Sequence, residues 1–252
     1  MKNLVKLMAF ICTGLLLYPQ IHSGLYRLQK GYQAVALVSG ISGYEYLKDA
    51  HAEIYYAPED KDYAGLIQRS VQLYYPLLSK DYQLKNPPDV KIILYPEAES
   101  MLKNTGSQSG ASMGIYYGGV LHLLSPRVWL PEHEEAERME IFLEQGPLVH
   151  ELSHFFTDVK SKGNYEIWFT EGVALYFEYK YMAFEWRRDL QEAARSVSMK
   201  ELMGGFEDMD RALAYRKAFD VVKGLVEDRG EQGLLDMMES KAQFTHSSPS
   251  ES

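Results

Sequence analysis

Residues 148–154 read LVHELSH, and residues 168–172 read WFTEG. Positions four apart on an α-helix lie about 40° apart around the axis and about 6 Å along it. His150 and His154 therefore project from one face as a pair, and both imidazoles can reach one ion. Glu151 lies one step further round, where a carboxylate can take a proton from a water on that ion. Leu152 and Ser153 face elsewhere, toward packing. Two nitrogens leave a zinc site incomplete, and catalytic sites of this kind add a carboxylate and keep one position open. Glu171 is the candidate. It opens an amphipathic helix, WFTEGVALYFEYKY, whose small residues Gly172 and Ala174 permit a close approach to the first helix. Gly163 and Asn164 in the intervening loop suit an antiparallel return. The competing reading is an ordinary amphipathic helix with two solvated histidines.

The rest of the chain narrows the choice. Its 252 residues, 46% of them hydrophobic, suffice for one good-sized domain. The net charge of -9 argues against nucleic acid as a partner, since phosphate binding needs clustered Lys and Arg. Cys12 is the single cysteine, so neither an intrachain disulfide nor a cysteine-based metal site is available, and any metal must use His, Asp or Glu. Lys2 and Lys6 precede an uncharged apolar run, Leu7 to Leu17, which Pro19 follows. Eleven residues suit a signal-peptide core or anchor better than a bilayer span of about 20. Export follows as the expectation, with the protein secreted or attached to a membrane through residues 1–24.

Residues 25–50 are mixed in composition, broken by VSGISG, and read as a stem. The domain proper is expected over 51–240, with strands at 52–58 and 89–96 and a helix between them that Pro76 kinks or ends. In MGIYYGGVLHLLSP, Gly118 and Gly119 separate two β-prone runs, which predicts a hairpin or a bulged strand. From residue 132 onward the pattern is helical, over about 134–161, 167–182, 188–203, 210–228 and 231–239. Pro147 marks a kink or a restart. The polar, Ser-rich residues 241–252 read as a disordered tail. Strands and helices first, then helices alone, predict an α+β fold in which a small mixed sheet lies against a helical half.

HELSH with WFTEG, the adjoining EGVALYFE and, more loosely, residues 214–238 resemble the gluzincin zinc metallopeptidases, the group of thermolysin and the zinc aminopeptidases. The chain looks closest to compact peptidase-MA-like members, in which a sheet with an edge strand precedes paired active-site helices. The likeness spans about residues 50–240, with specific motifs between 148 and 178. Sixteen residues separate His154 from Glu171, somewhat fewer than in those relatives, which shortens the interhelical loop. The resemblance implies a zincin-like fold and one Zn2+ per chain held by His150, His154 and Glu171. It also implies Glu151 as general base, a peptide or protein substrate, and an oxyanion partner, for which Tyr215 is the nominee. The stretch 113–126 would hold the edge strand that pairs with substrate.

Other polar residues remain open at this level. Asp158, four positions after His154, either orients a ligand through its second nitrogen or merely finishes the helix. His122 reads as a half-exposed strand residue outside the metal site, and His133 as solvated. A catalytically silent binding or regulatory module is the alternative function, against which the intact Glu151 counts. An intramembrane protease is excluded by the charges at Glu134, Glu135, Glu137, Arg138, Glu140, Glu144, Asp158 and Lys160.

Overall fold

Val, Ile, Leu and Tyr alternate or run together in short stretches of the first half, and these stretches form the sheet. A computed structural model describes residues 25–26, 28–106, 112–130 and 134–240; the signal-segment reading, Cys12, His133 and the tail lie outside them. Among the described residues five strands form one mixed sheet: β1 (Glu45–Lys48), β2 (Ala52–Tyr56), β3 (Val90–Tyr95), β4 (Gly114–Tyr117) and β5 (Val120–Leu124). Their order is β1-β2-β3-β5-β4, with β2, β3 and β5 parallel and both edges antiparallel to their neighbours. Helices α1 (28–39), α2 (Lys61–Asp81), α3 (Ala98–Thr105), α4 (Pro126–Trp129) and α5 (Glu135–Gln145) accompany the sheet. The helical half follows as α6 (Leu148–Ser161), α7 (Ile167–Met182), α8 (Gln191–Ser196), α9 (Met199–Gly205) and α10 (Arg211–Glu239). The architecture is α+β, as the order of patterns predicts.

Both faces of the sheet are covered, and the sequence explains which residue faces which layer. Side chains of successive strand residues point to opposite faces. Ile92 and Leu94 of β3 thus join Ile54, Leu121 and Leu123 in the main core beneath α2, α6 and α7. Ile93 and Tyr95 face the other way, where Ala34 of α1, Met101 of α3 and Val120 close a second, smaller core. This corrects the reading of 25–50 as a stem. Its helix covers a sheet face, and its residues 45–48 are an edge strand. β1 escapes a hydrophobic reading because an edge strand carries charge: Lys48 lies 2.7 Å from Glu53 of β2, which also pairs with Lys91 of β3.

Two prolines behave differently. Pro76 does not end α2, which continues past it from Lys61 to Asp81. An internal proline costs about 3 kcal/mol, whereas each fully buried large apolar side chain returns about 1.5–3 kcal/mol. α2 buries Ile67, Val71, Tyr74, Tyr75 and Leu78, so packing wins, while Leu77, expected on that face, is exposed. Pro147 does separate α5 from α6, immediately before Leu148. The expected helix at 188–203 is broken into a 3-10 turn and two short helices, α8 and α9. The expected break after 228 is real, since Gly230 (φ 67°) interrupts α10.

The hairpin reading is resolved at Gly118 and Gly119, whose φ values of 62° and 84° make the two-residue turn between β4 and β5. Lys162 (φ 57°) and Gly163 (φ 77°) end α6 and return the chain to α7. Gly172 does not serve the α6 contact for which its small size was read. A Cβ there would lie 2.5 Å from the Ala218 carbonyl oxygen, so the clearance admits α10. No helix among the described residues is long and apolar enough to cross a membrane.

Candidate metal centre

His150 and His154 sit one turn apart on α6, with ring centroids 4.7 Å apart. Glu171, in the first turns of α7, enters between them: its Oε2 is 3.2 Å from His150 Nε2 and 3.6 Å from His154 Nε2. One ligand atom from each of the three lies within 4.8 Å of the others, so the group could hold a metal ion. The donor set fits a borderline-soft divalent cation, with two imidazole nitrogens and one carboxylate oxygen.

The rings are fixed from behind through their other nitrogens. His150 Nδ1 is 3.3 Å from Oε2 of Glu178, and His154 Nδ1 is 2.7 Å from Oγ1 of Thr170. Both partners belong to α7, so one helix supplies the third candidate ligand and the two props. Such partners orient imidazoles and set which nitrogen faces a metal. Sequence reading missed both. Glu178 stands seven residues after Glu171, two helical turns along the same face, and that spacing was the available signal.

Electrostatics follow burial and charge. Burial disfavours protonated His150, but Glu178 and Glu171 outweigh it and raise the pKa of the ring. Burial carries His154 down to about 4. Burial alone would raise Glu171, yet His154, His150 and, less strongly, Tyr215 bring it down to about 2. Glu151 is pushed up to about 7 by burial, against the influence of His150 and of the Tyr116 backbone. Its Oε2 is buried without a hydrogen-bond partner. An orphaned carboxylate oxygen beside a three-donor cluster costs free energy unless the site uses it.

The edge strand β4 borders Glu151 directly. A Cβ on Gly114 would fall 2.7 Å from Glu151 Cγ and 3.0 Å from Pro147 Cβ, so only glycine lets strand and helix approach this closely. β4, Glu151, the His/His/Glu group and Tyr215 line one cleft of about 810 Å³. His150, Glu151, His154, Glu171 and Tyr215, the nominated ligands and catalytic residues, thus converge there. The pKa of Tyr215 is raised, first by burial and then by the Glu171 carboxylate.

Asp158 does neither thing expected of it. Fully buried, it touches no imidazole; its Oδ2 accepts a hydrogen bond from the hydroxyl of Tyr116 on β4 and pairs with Lys30 of α1 at 2.9 Å. It ties the edge strand and α1 to the end of α6. His122 lies outside the cluster, as read, but is wholly buried and not half-exposed, with Nδ1 2.8 Å from the Tyr95 hydroxyl.

Comparisons of the chain with protein-family models, with curated proteins and with solved structures yield no match. Any functional reading rests on the motifs and the geometry alone.

Proposed function

We propose that the chain is a zinc peptidase of gluzincin type, acting on peptides or proteins outside the cytoplasm. One observation carries the reading: two Nε2 atoms and one Glu171 oxygen converge while buried Glu151, its Oε2 without a partner, stands beside them against an edge strand. His150, His154 and Glu171 would hold one zinc, which when bound supplies a lowered water pKa and a polarised scissile carbonyl.

The chain's own residues do the rest. Glu151, with a pKa near 7, takes a proton from the attacking water and returns it to the leaving nitrogen. Tyr215 offers its hydroxyl to the developing oxyanion. β4, last in the sheet order, has no strand on its outer side among the described residues, which suits pairing with an extended substrate. A zincin-like arrangement, with a sheet edge beside paired helices α6 and α7, is part of this proposal. Attachment near a membrane is supported by α1, where Leu28 (72% exposed), Tyr32 (78%) and Val35 (65%) make an apolar stripe downstream of the 7–17 run.

Metal analysis of the purified chain together with cleavage of a broad peptide library tests the proposal. Glu151→Gln is expected to keep one zinc per chain and to lose about 10²–10⁴-fold in cleavage rate. His154→Ala is expected to lose the metal. A Glu151→Gln protein as active as the unaltered chain would remove the general-base assignment. Zinc binding with no cleavage of any peptide would favour the silent binding module.

A further inference from the structure

Arg211 is the one residue with a permanent positive charge among the described residues that line the cleft. It opens α10 and is exposed, and its guanidinium lies 5.2 Å from the centre of the Tyr215 ring. It also lowers the pKa of the Tyr215 hydroxyl, which Glu171 raises, so the guanidinium and that carboxylate both act on the one phenol. Among the described residues no ion pair engages Arg211. The adjacent carboxylate, Asp210, is occupied in capping α10, where it accepts the backbone N–H of Leu213 at 3.0 Å. A guanidinium has five N–H donors in a planar fork. Its place over the Tyr215 ring orients that fork and leaves its donors for an incoming group.

The cleft is otherwise acidic. Away from the candidate metal position its charged walls are acidic, Glu144 and Glu178 among them, so there a substrate carboxylate is favoured only beside Arg211. The guanidinium is one phenol hydroxyl away from the third candidate ligand. A carboxylate seated on it would therefore lie one or two residues from the reacting carbonyl, at about 3.3–3.6 Å per extended residue.

We propose that Arg211 is a specificity-determining residue that recognises a substrate carboxylate, either the C-terminal carboxylate of a peptide or an Asp/Glu side chain close to the scissile bond. The proposal rests on the peptidase reading above and names its substrate class. Bidentate pairing with the fork gives the position, and the surrounding carboxylates make it selective.

The test uses zinc-loaded full-length protein and peptide sets of three kinds: free C-terminal acids, the same peptides as C-terminal amides, and amides with a single Asp or Glu moved along the sequence. Cleavage is measured as kcat and KM, and binding of the same peptides is measured separately on Glu151→Gln protein. The unaltered chain is expected to prefer one carboxylate-bearing set by about ten- to a hundredfold, through KM. Which set is preferred distinguishes the two carboxylate sources. Arg211→Gln is expected to abolish the preference, read as loss of the KM advantage of the carboxylate-bearing set, with zinc content unchanged, and Arg211→Lys to restore only part of it, since a point charge lacks the fork. If Arg211 only holds Tyr215, its loss lowers kcat on every peptide alike, and the proposal falls. Cleavage without carboxylate preference overturns the Arg211 assignment and leaves the peptidase reading standing. Carboxylate-dependent binding without cleavage does the reverse.

Discussion

Glu178 Oε2 lies 3.3 Å from Nδ1 of His150, while Glu171 Oε2 lies 3.2 Å from Nε2 of the same ring. The imidazole is thus gripped through one nitrogen and presented through the other. A metal ligand oriented in this way commonly loses 10–100-fold in metal affinity when its partner is removed. Glu178→Ala is therefore expected to weaken zinc binding by about that factor, read by competition with a chelator of known affinity. Unchanged affinity would mean that the carboxylate is only a neighbour.

Gly114 offers a test of the cleft wall. Alanine there places a methyl 2.7 Å from Glu151 Cγ and 2.8 Å from Oε1. Either β4 retreats or Glu151 turns away, and overpacking of this kind costs about 1–3 kcal/mol. Gly114→Ala is expected to fold with reduced stability, to keep zinc, and to lose cleavage through kcat. Full activity at normal stability would show that the strand has slack and that the approach is incidental.

The centre of the molecule was readable in the sequence because its chemistry is local. His150, Glu151 and His154 occupy one helix, and Glu171 opens the next, so two periodicities and a short loop suffice to bring them together. The props were harder, because Thr170 carries no signal until the rotation of α7 about its axis is known, and the two-turn spacing of Glu178 from Glu171 is no motif by itself. Asp158 was misread for the same reason: helical spacing placed it near His154, but its partners Tyr116 and Lys30 come from a strand and a helix far away in sequence. β1 and α1 were passed over because local composition at an edge is polar. Their place is decided by pairing with β2 and by the second face of the sheet, neither of which a pattern along one segment reveals.

His122 predicts how stability responds to acid. Burial lowers its pKa from 6.5 to about 4, against a weaker opposing effect of the Tyr117 carbonyl. The unfolded chain binds this proton more readily than the folded one, so the contribution of the group is fully present above pH 6.5. It is lost progressively as the pH falls toward 4, and is level below that. The span corresponds to at most about 3 kcal/mol. His122→Gln is expected to flatten that part of the curve in denaturant titrations between pH 7 and 4. An equally steep curve in the variant would assign the acid sensitivity to other groups.

Arg216 carries the last prediction. It is wholly buried, donates to the Trp186 carbonyl at 2.9 Å, and pairs with Glu185 at 3.0 Å and Asp220 at 2.7 Å. Trp186 and Phe184 belong to the segment after α7 that walls the cleft, and Ala183 (φ 54°) and Arg187 (φ 39°) hold that segment in left-handed turns. One guanidinium thus secures a strained loop to α10 while neutralising two carboxylates. Removing one partner of a buried ion pair costs about 3–5 kcal/mol, and the partial exposure of both acids here places the cost near the lower end. Arg216→Met is expected to destabilise the chain by about 3 kcal/mol in chemical denaturation and to raise KM without loss of bound zinc. Arg216→Lys should recover little, because a single ammonium cannot reach a carbonyl and two carboxylates in the geometry of a planar fork. Stability equal to that of the unaltered chain in both variants would mean that packing around Phe219 and Trp186, and not the ion pairs, holds the wall.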